Sequence, residues 1–310
     1  MQVSALEKRL RNIFSSKIHP SFEKLVGLYW SQIFYKNLNK IRFFGEFKKS
    51  NKLFKNENMN PTVSSSVKNI RETGFESHCF ENEQKLINLC NQEFSQKTET
   101  IKQLRVSKPF LINLLKPSIR TEVSEEIVKF AISDGVLLKA INYLGFVPKL
   151  TAAKLLISLK NEKEIKKNFS SQLFHLDNAD LPFQHLKLFV NLNKVSEENG
   201  AFTFLDAIQS SRLASETSYG SQKSDYRLED DIVINSIPSK DWHRVSGNSG
   251  KSVFIDTSRC FHLGSRVYSG ERKILMLQFT SCCQTRINLP TNFVNYVDLA
   301  KTDIKRFVLT

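Results

Sequence analysis

The chain has 310 residues, 40% hydrophobic and 25% charged, ordinary globular usage that excludes a peptide hormone, a lone interaction motif and a globally disordered chain. Its formal net charge of +14 raises nucleic acid or an anionic surface as partners, so the distribution of charge is the next question. No window approaches the roughly 18 uninterrupted apolar residues of a membrane-spanning helix, because Lys or Asn cuts every apolar stretch within a few positions.

The opening MQVSALEKRLRNIF is basic, but its charges interrupt any apolar signal core and no small-residue cleavage site follows, so export is not expected. Residues 1–60 hold 12 Lys and Arg against 4 Glu, a net of +8, while the other 250 hold 33 basic and 27 acidic residues, a net of +6. The excess is therefore N-terminal. There Phe22, Leu25, Val26, Tyr29, Ile33 and Phe34 recur at helical spacing and Lys24, Lys36, Lys40 and Arg42 form a cationic remainder, which predicts an amphipathic helix. Tyr29, Trp30, Phe43 and Phe44 beside these cations suit peripheral contact with an anionic membrane. The commoner fate of such a helix is to pack on the main domain with Lys stems covering its edge, and that is the expectation. Nucleic acid ranks third, since no binding module is recognisable. The polar stretch KNENMNPTVSSS (55–66) lacks apolar periodicity. It predicts a linker, 61–69, between a helical segment (1–60) and a main domain (70–310).

Along the main domain, helical spacing appears at 81–95, 122–132 and 133–144, with Ser124, Glu125 and Glu126 as a start signal. The period then shortens. Segments 172–177, 186–192, 201–205, 252–257 and 273–279 are short, rich in Val, Ile, Leu and Phe, and separated by turn residues, predicting a mainly β core with flanking helices, an α+β arrangement. Five cysteines (Cys79, Cys90, Cys260, Cys282, Cys283) form an odd set with neither CxxC nor zinc spacing, which fits a reducing cytoplasm.

Within SQLFHLDNAD, a strand would turn His175 and Asp177 to one face and Phe174 and Leu176 to the other, making a two-donor metal arm. One such pair is common by chance. A second segment adds His262 near the end of the strand that starts at Lys251, embedded in apolar sequence. Two imidazoles and a carboxylate can occupy one face of an octahedral ferrous ion and leave three positions for a bidentate oxo-acid and dioxygen. Arg272, at the head of the last strong strand, offers the planar fork that a distal carboxylate needs. His185 and His243 have no interpretable partner spacing, and they, with His19 and His78, are read as structural or solvent-facing.

The run HLDNADLPFQHLKLFVNLNKVSEENGAFTFLDA (His175 to Ala207), with VFIDTSRCFHLGSRVYSGERKILMLQF (Val253 to Phe279), resembles the phytanoyl-CoA dioxygenase family of iron- and 2-oxoglutarate-dependent oxygenases. The resemblance implies a double-stranded β-helix (jelly roll) with flanking helices, Fe(II) held by His175, Asp177 and His262, 2-oxoglutarate held at its far carboxylate by Arg272 with Ser265 as a second contact, and dioxygen as oxidant. It also implies hydroxylation of a small molecule, lipid- or sugar-derived, because Asp177 is retained where halogenating relatives carry a small residue. Two segments stand apart: Leu205 to Arg212 reads LDAIQSSR where many relatives carry Gly-Ser-His, and the polar stretch from Ser215 to Ile234 reads as a connection or a substrate lid. A different class of reading keeps the jelly roll without catalysis, docking to a membrane or a protein partner through the basic N-terminus.

Overall fold

The structure, a computed structural model, describes residues 28–56, 67–99, 101, 111–114, 120–160, 168, 170–177, 184–220, 226–282 and 294–310. Phe22, Leu25 and Val26 of the expected N-terminal helix, together with His19 and Cys283, lie outside them. The described remainder of that segment forms α1 (Leu28–Arg42) and α2 (Phe44–Asn56). Tyr35, Asn39 and Ser50 are buried and Phe43, Phe47, Leu53 and Phe54 pack against the main core. The Ser50 hydroxyl donates to the Val147 carbonyl at 2.9 Å, and Glu46 lies 3.4 Å from the Lys149 ammonium. One side of the amphipathic segment thus covers the main domain, while Phe34, Ile41 and Phe44 remain exposed on another. The expected linker lies largely outside the described residues; at its end Val67 is buried and α3 (Lys68–Thr73) begins.

The helices expected at 81–95, 122–132 and 133–144 are α4 (Gln84–Gln96), α5 (Thr121–Ala131) and α6 (Asp134–Leu144). Each buries one stripe: Leu86, Ile87, Cys90 and Phe94; Val123, Ile127, Val128 and Ala131; Val136, Leu137, Ala140 and Ile141. Gly145 ends α6 in the left-handed region (φ 74°), its N–H donating to the Ile141 carbonyl. These stripes and the C-terminal α9 (Asp303–Leu309) cover one face of an antiparallel sheet of order β1-β7-β4-β9-β3-β2. Its strands are β1 (Phe75–Cys79), β2 (Leu111–Asn113), β3 (Lys149–Leu159), β4 (His185–Asn191), β7 (Lys251–Ile255) and β9 (Glu271–Thr280).

A second antiparallel sheet, β6-β5-β8, joins β6 (His243–Arg244), β5 (Thr203–Phe204) and β8 (His262–Leu263). Side-chain alternation sets the layers. Leu186, Leu188 and Val190 of β4 and Leu275, Leu277 and Phe279 of β9 face the helices. The residues between them, Phe189, Ile274 and Met276, join Leu156, Val253, Ile255, Phe202 and Phe204 in a cluster between the sheets. The outer face of the small sheet is covered by α7 (Ala207–Glu216) and α8 (Asp230–Ser236), through Leu213 and Val233, and by Ile237 and Trp242 that follow them.

Four of the five expected strands appear as β4, β5, β7 and β9. The strand expected over 172–177 does not form as a ladder: Ser170–Gln172 is a 3₁₀ turn and pairing is confined to single bridges at Phe174 and His175. Asp177 already sits in a turn, where its N–H donates to the Thr257 carbonyl at 2.9 Å. The eleven-residue β3, paired with both β2 and β9, was not expected from the sequence.

Candidate functional site

Strand register brings the two distant imidazoles together. His175 bridges His262 antiparallel, each N–H donating to the other's carbonyl at 3.0 Å, and residues directly opposite in such a pair share a face. The rings are 4.4 Å apart, and Asp177 turns back so that its Oδ1 lies 3.8 Å from His175 Nε2 and its Oδ2 3.4 Å from His262 Nε2. One ligand atom from each of His175, Asp177 and His262 falls within 4.8 Å of the others. His175 Nδ1 is 2.8 Å from the Leu173 carbonyl and His262 Nδ1 3.1 Å from the Cys260 carbonyl. A carbonyl oxygen only accepts, so both Nδ1 atoms carry a proton, and in the neutral tautomer that this contact selects it is Nε2 that presents a lone pair to the site. Two imidazole Nε2 atoms and one carboxylate oxygen suit a divalent metal ion.

Electrostatics keep this set ready to bind. Burial, with His262 beside it, pushes the His175 imidazole down to about 3, so it stays neutral. Burial alone would raise Asp177, but Lys187, followed by His262, outweighs it and holds the carboxyl well below its usual range. Lys187 donates to Asp177 Oδ2. Neither Lys187 nor Arg227 was expected from the sequence. The Phe174–Leu228 bridge sets Arg227 across from His175, and its charge further disfavours protonation there.

Surrounding contacts fix the motif. The Tyr219 hydroxyl accepts from the Leu176 N–H at 3.2 Å and donates to the Tyr226 carbonyl at 3.1 Å. The Ser215–Ile234 stretch therefore ties down the residue between His175 and Asp177. The LDAIQSSR segment, lacking Gly-Ser-His, enters α7 through a capping box between Asp206 and Gln209. Ser210 of that helix accepts from the Phe261 N–H at 2.8 Å, one residue before His262. His185 is buried with its Nε2 2.7 Å from the Thr257 hydroxyl, behind the carbonyl that Asp177 bonds, so its role is structural. His243 packs against the Phe75 and Phe204 rings, which also touch each other, and His78 lies on the edge strand β1.

Arg272 is not an ordinary strand-end surface charge. It is 3% exposed, alternates with Ile274 and Met276 on the face between the sheets, and has no carboxylate partner among the described residues. Burial alone pulls its guanidinium down to about 10. One nitrogen donates to the Gly200 carbonyl at 2.8 Å, and Nε has no partner. Ser265, 2% exposed, likewise has an unpartnered Oγ, and so does Ser158, which sits opposite Arg272 in the β3–β9 register. Buried donors are almost always satisfied. Unpartnered atoms on Arg272, Ser265 and Ser158 therefore suit a planar anion.

Gly200 links these groups. A Cβ there would come within 2.6 Å of Ser265 Oγ and 2.9 Å of the Arg266 nitrogen, at a φ of +82° that L side chains rarely adopt. Gly200→Ala should lower stability by about 2 kcal/mol in thermal melting. It should also weaken anion binding at Arg272, because the Gly200 carbonyl that orients the guanidinium moves with the backbone.

No family model matches the chain, and no curated protein matches it. Solved structures overlap it loosely. EctD from S. alaskensis, solved with 2-oxoglutarate and 5-hydroxyectoine, has a TM-score of 0.48 at 10% identity, covering 73% of this chain and 77% of its own. HygX from Streptomyces hygroscopicus with iron bound gives 0.44 at 13%, covering 70% and 86%. AviO1 from Streptomyces viridochromogenes Tue57 gives 0.43 at 11%, covering 72% and 96%.

Proposed function

We propose that the chain is an Fe(II)- and 2-oxoglutarate-dependent dioxygenase that hydroxylates a small molecule, lipid- or sugar-derived, with release of succinate and CO2. One observation supports this above the rest: a two-imidazole, one-carboxylate donor set lies in the same inter-sheet architecture as a buried arginine with an unpartnered Nε. His175, Asp177 and His262 would hold the metal, and Arg272 with Ser265 the far carboxylate of 2-oxoglutarate. Bound ferrous iron supplies the oxidation of a substrate C–H bond by dioxygen, coupled to decarboxylation of the oxo-acid.

The chain's own groups do the rest. The Leu173 and Cys260 carbonyls fix the imidazole tautomers. Arg272 offers a charged, directional grip in a site of low dielectric, where such bonds are strong. The Phe189 and Phe202 rings, stacked at 4.3 Å with Phe202 5.6 Å from His262, keep water from that side. In this reading the facing sheets are the frame of a double-stranded β-helix spanning 70–310. Purified protein supplied with Fe(II), 2-oxoglutarate and dioxygen should form succinate slowly even without its own substrate, and His175→Ala should form none above background. Equal succinate from both would remove the assignment.

A second role is proposed for residues 1–60. No described helix is long and apolar enough to cross a membrane. The α1–α2 segment nevertheless exposes Phe34, Ile41 and Phe44, and Phe44, Phe47, Lys48, Lys52 and Lys55 line a groove of about 440 Å³. Exposed apolar groups among cations suit peripheral contact with anionic lipid from the cytoplasmic side, and the free thiols of Cys79, Cys90 and Cys260 fit that compartment. Sedimentation with phosphatidylserine-containing vesicles should carry down the full chain. Ile41→Ser/Phe44→Ser should reduce it by at least about tenfold, and an equal pellet would remove the role.

A further inference from the structure

Lys187 is the one lysine of β4, flanked by Leu186 and Leu188, and β-alternation turns it to the inter-sheet face with Phe189. Across from it on the flanking strands stand Ile255 and Gln278, neither of them anionic. Its side chain is 12% exposed, and Asp177 is its only ion-pair partner among the described residues. The contact is made to Oδ2 alone. Oδ1 of the same carboxylate lies 3.8 Å from His175 Nε2 with no hydrogen-bond donor on it among the described residues, and Oδ2 lies 3.4 Å from His262 Nε2.

We propose that Lys187 is a positioning residue that reserves Oδ2 of Asp177, so that this carboxylate offers a single oxygen to the divalent metal and the adjacent coordination position stays open for the oxo-acid. This rests on the metal-binding reading of His175, Asp177 and His262. A carboxylate has two oxygens and can give a cation one or both. An ammonium on Oδ2 engages that oxygen and also repels an incoming dication. Lys187 therefore weakens the metal slightly while keeping room for the oxo-acid, and its loss should move the two affinities in opposite directions. A lysine that only filled space would not produce that split.

The test uses the full chain stripped of metal by chelation. Co(II) is titrated by visible absorbance, then 2-oxoglutarate is titrated into the Co(II)-loaded protein. Lys187→Met, with Lys187→Gln as a second neutral variant should the first fail to fold, is expected to bind Co(II) about tenfold more tightly and 2-oxoglutarate about tenfold more weakly than wild type. Lys187→Arg is expected to return both to within about threefold. Weaker Co(II) binding in the neutral variant, or 2-oxoglutarate binding within about twofold of wild type, overturns the proposal while leaving the metal site standing. If His175→Ala takes up Co(II) as wild type does, the metal reading itself has failed.

Discussion

Arg272→Met is expected to make the protein more stable and nearly inactive. Arg272 is a buried charge whose one described hydrogen bond goes to the Gly200 carbonyl, with no acidic partner to offset its loss of water. Replacing it with an apolar side chain of similar length relieves that desolvation at the expense of one hydrogen bond, a net gain of about 1 kcal/mol. The same change removes the group proposed to grip the far carboxylate of 2-oxoglutarate. Two charge-assisted hydrogen bonds are at stake, so affinity should fall by about 100-fold or more. Arg272→Lys should lie between, because an ammonium keeps the charge and loses the fork. Thermal melting and 2-oxoglutarate titration together check the opposite signs. A fall in both stability and affinity would mean Arg272 is chiefly structural.

Asp177→Ala is expected to be costly on both counts. Asp177 is the only carboxylate in the donor set, so divalent-metal affinity should fall by at least about 100-fold and succinate formation with it. The substitution also leaves Lys187 enclosed without an anion. Breaking a buried pair costs about 3 to 5 kcal/mol, and with Asp177 24% exposed a loss of about 2 kcal/mol is expected. Adding Lys187→Met to Asp177→Ala should recover most of that stability and none of the metal binding, a non-additivity that a double-mutant cycle measures.

The helices were the most legible part of the chain. The stripes of α4, α5 and α6 recur at 3.6 residues and Gly145 ends the last of them, so local pattern and tertiary burial agree. β3 was not legible because KLTAAKLLISL is rich in Ala, Lys and Leu, which favour helix locally. Pairing on both sides by β2 and β9 overrides that preference. The HxD segment shows the converse. His175 and Asp177 do come together, but by a bridge and a turn held by Thr257 and Tyr219 rather than by ladder alternation.

Site legibility divides the same way. His175, Asp177 and His262 could be named because a second segment adds an imidazole to a pair that is common by chance alone, and the structure brings them together. Arg272 could be named from its place at the head of a strand and Ser265 only through a resemblance, but their burial without a partner is invisible in a string of letters. Lys187 sits in plain view in HLKLFVN, yet its inward direction depends on the strand's register, and Ser158 becomes visible only as the cross-strand neighbour of Arg272.

The most direct test of the whole account is the visible absorption of the anaerobic protein. With Fe(II) and 2-oxoglutarate both present, a broad charge-transfer band should appear that neither gives alone, and it should be missing in His175→Ala. A spectrum that stays flat with both ligands present, or a band of equal strength in His175→Ala, would contradict the assignment.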